Sequence, residues 1–108
     1  MPLTITKTTV LRSSNISPFR DSAGLDPAVA TSVGNVARAL RAHPALRQRS
    51  ISISNDGLTR TTTTVWDNRG AYGEFALANA ADLGRIASAA SAYNQANGIT
   101  VTTLIKED

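Results

Sequence analysis

The fold is decided by residues 49–66, RSISISNDGLTRTTTTVW. In its first part isoleucines alternate with serines, and its second part holds four consecutive threonines, whose branching at Cβ favours extended backbone. The Asn-Asp-Gly at residues 55–57 lies between them, and Asn and Gly tolerate the positive φ that a tight hairpin requires. The stretch therefore predicts two antiparallel strands, Arg49–Ser54 and Leu58–Trp66, joined by a short turn.

Two elements are predicted before this hairpin. Residues Leu3–Leu11 alternate apolar and Thr side chains, which indicates a strand. Asp26-Pro27 has the features of a helix start, because Asp caps free N–H groups and Pro suits the first helical position. The helix should end at His43-Pro44, since a residue before Pro is driven out of helical geometry. Residues 12–25 match no regular pattern and are predicted to be a loop.

Two helices and a strand are predicted after the hairpin. An Ala-rich stretch follows Asp67-Asn68, and its apolar spacing is interrupted near Asn79 and Asp82. This pattern predicts a short helix, a bend and a longer helix that ends at Asn97-Gly98 with a left-handed cap. Residues Ile99–Ile105 alternate again and predict the last strand, and residues 106–108 are expected to be a frayed tail.

The resulting order, βαββαβ, predicts one α+β domain over residues 1–108 with the ferredoxin-like fold. That fold has a four-stranded antiparallel sheet with its helices on one face, so the other face stays open. A chain of 108 residues is expected to cover this face by forming a homodimer.

Composition excludes several function classes. The chain has no cysteine, so disulfides, thiol nucleophiles and thiolate metal sites are excluded. Neither a signal peptide nor a membrane-spanning stretch is evident, which predicts a cytoplasmic protein without membrane contact. The net charge of +3 includes four arginines near the end of the first helix, which are interpreted as a solvated surface. An RNA-binding domain of this topology would carry exposed aromatics on its central strands, where this sequence has threonines, so nucleic acid is an unlikely partner.

One part of the sequence resembles a known family. It comprises Asn55-Asp56-Gly57, a strand that ends in Trp66 and Asp67, and a short helix that carries Tyr72 and Phe75. This arrangement resembles the antibiotic biosynthesis monooxygenase family of dimeric α/β barrels. The resemblance covers residues 49–105 in detail and the first half of the chain only by its element order.

The resemblance implies a site and a reaction. Members that oxidise aromatic polyketides without a cofactor carry pocket residues that match Trp66 and Tyr72, whereas an Asn of the family falls on Thr62. The implied catalytic residues are therefore Trp66, Tyr72 and Thr62, with Arg60 and Phe75 in substrate binding. No cofactor or metal is implied: Ala76 occupies the position of a haem-ligating His, and the single histidine, His43, lies at a helix end.

The leading hypothesis is thus a small-molecule-binding homodimer that oxygenates an aromatic, polyketide-like substrate without a cofactor. The alternative is a non-catalytic structural or assembly protein, such as a subunit of a larger particle. The alternative is favoured by the Ala and Thr richness, by the missing Asn at residue 62 and by the absence of carboxylates spaced for acid–base catalysis. It also treats Trp66 and Tyr72 simply as packing residues.

Overall fold

The predicted elements are present in the computed structural model, which describes residues 1–19 and 26–107. The strands and helices are, in chain order, Leu3–Val10 (β1), Pro27–Ala42 (α1), Leu46–Ile53 (β2), Thr59–Trp66 (β3), Arg69–Ala78 (α2), Ala80–Asn97 (α3) and Thr100–Glu107 (β4). The second helical region is divided at Asn79, as its interrupted spacing predicted. No helix in the described ranges is long and apolar enough to cross a membrane.

The four strands form one antiparallel sheet in the order β2-β3-β1-β4. In β1, Leu3 lies opposite Trp66 of β3 and Glu107 of β4, and the ladder continues without a shift to Val10. The hairpin between β2 and β3 turns at Gly57, whose φ is 75°. This strand order and the βαββαβ sequence of elements are those of the ferredoxin-like fold, and that prediction is confirmed.

The hydrophobic core lies at one end of the space between sheet and helices. Its buried members are Leu3, Val36, Trp66 and Phe75. Partly buried side chains from α1, α2, α3, β1 and β2 pack around them. Because all three helices contribute to this cluster, they lie on the face of the sheet that carries Trp66. Alternation places a hydroxyl-rich set on the opposite face: Thr4, Thr6, Thr8, Ser50, Ser52, Thr59, Thr61, Thr63, Thr100 and Thr102.

Local signals fix the ends of the helices. Asp26 accepts a hydrogen bond from the N–H of Ala28 at 2.8 Å and caps α1, and His43 follows the last residue of that helix. After α3, Gly98 has a φ of 64°, the left-handed cap that was predicted. A Cβ at Gly98 would also meet the exposed side chain of Arg12, which would have to shift, so the left-handed φ is the main requirement for glycine at this position.

Two strand boundaries differ from the sequence prediction by two residues or more. Strand β2 begins three residues earlier than expected, because Leu46 pairs with the end of β3 through a bulge. Lys106 and Glu107 belong to β4 and pair with β1, so the expectation of a frayed tail was wrong for these two residues. Pairing continues to Glu107 because β1 is eight residues long and its first residue, Leu3, lies opposite Glu107. The side chain of Glu107 is also held, since Arg69 Nη2 lies 3.3 Å from its Oε2. Residues 20–25 of the predicted loop and Asp108 lie outside the described residues.

The hairpin turn is held by the carboxylate of Asp56. The pKa of this carboxyl is lowered from its ordinary value, first by the hydrogen bond from the Ser54 hydroxyl at 2.6 Å and then by that from the N–H of Leu58 at 2.9 Å. A lowered pKa in the folded state means that the ionised carboxylate stabilises the fold above its unfolded pKa. This contribution is lost as the pH falls through the folded pKa.

We therefore expect Asp56→Asn to remove a pH-dependent contribution. The Asn side chain keeps an acceptor oxygen but carries no charge. The parent protein should therefore lose stability as the pH falls below about 4, whereas the variant should not lose this contribution, and the difference between the two should shift in favour of the variant. The measurement is urea unfolding of both proteins at pH 7 and pH 3. An equal difference between the two proteins at both pH values would contradict the assignment.

A polar clamp joins α1 to α3. Ser32, which is fully buried, donates a hydrogen bond to Asp82 Oδ1 at 2.8 Å. Arg85 Nη1 donates to the same Ser32 hydroxyl at 2.8 Å and lies 3.8 Å from Asp82. The buried Ser32 hydroxyl is thus satisfied as donor and as acceptor by two side chains that remain partly exposed to solvent. Sequence reasoning had explained Asp82 as a helix-start residue only.

Replacement of Asp82 by Ala should destabilise the fold by about 1–3 kcal/mol, because the buried Ser32 hydroxyl then has no acceptor. Asp82→Asn keeps an oxygen at the same place, so it should cost clearly less. Denaturant unfolding of the two variants measures the difference. Equal losses would show that the clamp acts through charge rather than through the hydrogen bond.

Candidate functional site

Four aromatic side chains meet at the end of β3. Trp66 is the last residue of that strand, Tyr72 and Phe75 lie three residues apart on one side of α2, and His43 follows α1. The ring of Trp66 lies 5.2 Å from His43, 5.6 Å from Tyr72 and 5.1 Å from Phe75, measured between ring centroids. Asn68 caps α2 by accepting from the N–H of Ala71 at 2.8 Å, which fixes the helix that carries two of these rings. We call these four residues the aromatic cluster.

The indole of Trp66 is the most constrained group of the aromatic cluster. Its side chain is 1% exposed, and Phe75 is 5% exposed. Within the described part of the chain, Trp66 Nε1 is a buried donor with no hydrogen-bond partner. An unpaired buried N–H costs about 1–3 kcal/mol, and such groups are rare in native folds.

The structure brings together some of the predicted site residues and separates others. Trp66, Tyr72 and Phe75 are in contact, with Phe75 as a buried wall. Thr62 shares their face of β3 but lies four residues from Trp66, about 13 Å along the strand. Arg60 lies six residues away, about 20 Å, next to the hairpin turn and opposite Thr9. Arg60 is therefore not part of the aromatic cluster.

His43 is the residue of this cluster that sequence reasoning missed. Its Nδ1 accepts a hydrogen bond from the N–H of Ala45 at 3.2 Å, so a neutral ring carries its proton on Nε2. The ring reaches Trp66 because the chain turns at Pro44 and returns across the sheet into β2. This contact joins residues 23 apart in the sequence, and no local pattern indicates it.

An open cleft lies between α3 and the β1–β4 half of the sheet, away from the core. Its volume is about 470 Å³, within the range of small-molecule sites. Small side chains on α3, Ala87, Ala90 and Ser91, leave the space unfilled, and Lys7 lies on its floor. Thr62 is the partner of Lys7 across the ladder. We call this space the interlayer cleft.

Sequence reasoning did not include Lys7 in the site, although the pattern contained the signal. Leu3, Ile5, Lys7 and Thr9 share one face of β1, so the strand places a lysine among its inward positions, directly after two apolar ones. The described residues contain no group of three His, Cys, Asp or Glu side chains that could hold a metal ion.

Comparison with known proteins identifies solved structures with a similar fold. No family model matches the sequence, and no curated protein sequence is similar to it. Solved structures are similar. SnoaB, a cofactor-independent oxygenase from Streptomyces nogalater, superposes with a TM-score of 0.58 at 14% identity, over 99% of this chain and 92% of SnoaB.

The fold is shared with that oxygenase. A Deinococcus radiodurans protein proposed to be an antibiotic biosynthesis monooxygenase gives a TM-score of 0.54 at 17% identity, over 97% of this chain and 91% of the other. A dimeric ferredoxin-like protein from an uncultured marine organism gives 0.50 at 13% identity, over 97% and 92%. The resemblance drawn from residues 49–105 is thus confirmed at the level of structure and extends over the whole chain.

Proposed function

We propose that this chain binds a small aromatic molecule between its sheet and helices and oxygenates it without a cofactor. The observation that carries the proposal is the unpaired indole N–H of Trp66, buried beside Tyr72 and His43. The fold shared with a cofactor-independent oxygenase supports the class of reaction. The interlayer cleft, which Lys7 lines and Trp66 does not, offers space for the part of the substrate that extends along the sheet beyond the aromatic cluster.

The reaction that suits these groups begins with a phenol. Its anion is electron-rich enough to reduce O₂ directly, and the products are a quinone and water: the ring gains one oxygen and loses two hydrogens, and the second oxygen leaves as water. The protein holds the phenolate out of water and stabilises its charge with fixed donors. Trp66 Nε1–H is the central donor to the phenolate, with the hydroxyl of Tyr72 as a second donor beside it. The Thr62 hydroxyl lies about 13 Å away along the strand, so it is a donor to the far end of the substrate.

The aromatic cluster is closed in the resting structure, so substrate binding must move a side chain. Tyr72 is only partly buried and packs edge-on against the indole at 5.6 Å. In this proposal Tyr72 moves aside and the phenolate takes its place against Trp66, while the remainder of the ring system extends along the sheet toward Thr62 and Lys7.

The experiment combines binding and turnover. Trp66 is the only tryptophan of the chain, so its fluorescence reports directly on the site. Hydroxylated naphthalenes and anthracenes are titrated against it, and oxygen uptake is then measured with a metal chelator present. Quenching together with quinone formation supports the proposal. Quenching without oxygen uptake would leave a binding protein and reject the oxygenase.

A homodimer belongs to the same proposal. The hydroxyl-rich face of the sheet carries Val10 and Leu104, which are 41% and 64% exposed, and a second copy would cover them. A structurally similar protein is described as dimeric. Light scattering should give twice the mass of the chain, about 23 kDa from a monomer of 11.3 kDa.

A non-catalytic assembly role is the second candidate function. The observation in its favour is the packing of Trp66, which at 1% exposure is a core residue. This role predicts a particle far larger than a dimer in light scattering, with no quenching of Trp66 by any aromatic phenol.

A further inference from the structure

The positive charge of the chain is concentrated in one segment. Residues 27–55 contain four arginines and neither aspartate nor glutamate. Residues 1–26 carry a net charge of +1 and residues 56–108 a net charge of −2, and the three values add to the +3 of the whole chain. The segment comprises α1 and β2, so the charge lies on one side of the molecule.

Three of these arginines surround a pocket of about 190 Å³ beneath the end of α1. Leu40 and Leu46 give this pocket an apolar floor, and Arg41, Arg47 and Arg49 line it together with His43. Among the described residues that line it there is no carboxylate. We call this space the arginine pocket.

The charges of the arginine pocket are only partly neutralised. Arg47 binds Asp67 at 2.5 Å. Within the described ranges, no carboxylate lies in ion-pair distance of Arg41 or Arg49. The end of a helix attracts cations, which accounts for Arg41 in the last turn of α1. It does not account for Arg49, which is on a strand.

A β-bulge builds the strand side of the pocket. The register shifts between Leu46 and Gln48, so Arg47 is the extra residue of β2, and β2 is an edge strand. A bulge redirects side chains, and bulges are common next to binding sites. Arg49 then lies opposite Thr64, on the face of the sheet that α1 covers. Arg41 and Arg49 thus approach one space from different elements.

We propose that the arginine pocket binds a compact oxyanion, a phosphate monoester or a carboxylate, attached to a small apolar group. A guanidinium forms paired hydrogen bonds with the oxygens of either anion, and two unpaired guanidinium groups suit one anion. The leucine floor suits the apolar part. This inference rests on Arg41 and Arg49, which belong neither to the aromatic cluster nor to the interlayer cleft. His43 is common to the arginine pocket and the aromatic cluster.

The test is an NMR titration of the full chain with phenyl phosphate, benzoate and inorganic phosphate as separate probes. Binding should shift the backbone amides of residues 40–49, and phenyl phosphate should bind more tightly than inorganic phosphate because only the former reaches the leucines. Whichever of phenyl phosphate and benzoate binds with the higher affinity identifies the preferred oxyanion. Arg49→Gln should weaken binding about tenfold or more, the effect of losing a charged hydrogen bond.

The matched control is Arg69→Gln, which makes the same change in net charge at an ion pair with Glu107, and neither residue lines the arginine pocket. It should leave the affinity unchanged. Equal weakening by Arg69→Gln, or shifts spread evenly over the chain, would overturn the proposal in favour of general charge attraction. The proposal would also be overturned if a single-stranded oligonucleotide bound tightly, with a steep dependence on salt, while phenyl phosphate caused no shifts. That result would assign the surface to nucleic acid.

Discussion

Replacing Trp66 by Phe is expected to lower the rate of quinone formation by about 10²- to 10³-fold, the effect of losing one donor to an oxyanion. Phe keeps an aromatic ring in the cluster but has no N–H. Stability should change little, because the smaller ring loses packing while the cost of an unpaired buried donor, about 1–3 kcal/mol, is also removed. The measurement is oxygen uptake, with thermal unfolding of the same preparation beside it.

The separation of the two readouts makes this variant decisive. If Trp66 were only a packing residue, its replacement by Phe would lower the stability and leave the turnover of the folded protein intact. That is the opposite result. Tyr93→Phe is the control, because it removes an aromatic donor outside the cluster: the Tyr93 hydroxyl binds the carbonyl of Ser17 at 2.6 Å. Its turnover should equal that of the parent protein.

Replacing Phe75 by Ala should have the largest effect on stability. The ring is 5% exposed and packs against Trp66 and His43, so its removal leaves a cavity in the centre of the core. Such changes cost about 3–5 kcal/mol. In a domain of this size the melting temperature should fall by about 12 °C or more. Differential scanning calorimetry provides the measurement.

Helix α2 offers a matched control for this change. Leu77 lies two residues after Phe75 in the same helix but is 80% exposed. Leu77→Ala should therefore change the stability by about 0.5 kcal/mol or less. If the two variants lost similar stability, the aromatic cluster would not be the main core of the fold.

The fold was predictable because its signals are local. The turn at residues 55–57, the cap at Asp26 and the left-handed Gly98 each act within a few residues. Alternation indicated three of the strands, and the consecutive threonines indicated β3. Strand ends were predicted less well, since the pairing of Lys106 and Glu107 depends on the length of β1 at the other end of the chain. A boundary of this kind is set by its partner and not by its own sequence.

The candidate site was only partly predictable. Trp66, Tyr72 and Phe75 are close in sequence, and a strand followed by a helix brings them together. His43 joins them across 23 residues through a turn, and Arg60 is carried away from them by the extended geometry of β3. The interlayer cleft exists because small side chains of α3 face Lys7 across the space between helix and sheet. Its presence depends on how the two layers pack, which the sequence alone does not show.

The bulge in β2 also makes the two edges of the sheet unequal. An edge strand exposes unpaired backbone groups that invite another strand, and bulges and positive charges discourage such addition. Both edge strands expose apolar side chains, Ile51 and Ile53 on β2 at 54% and 55% and Leu104 and Ile105 on β4 at 64% and 49%. Only β2 is bulged, so the edge of β4 is the more regular template for an added strand. A charged residue in place of Leu104 is expected to reduce strand addition at that edge.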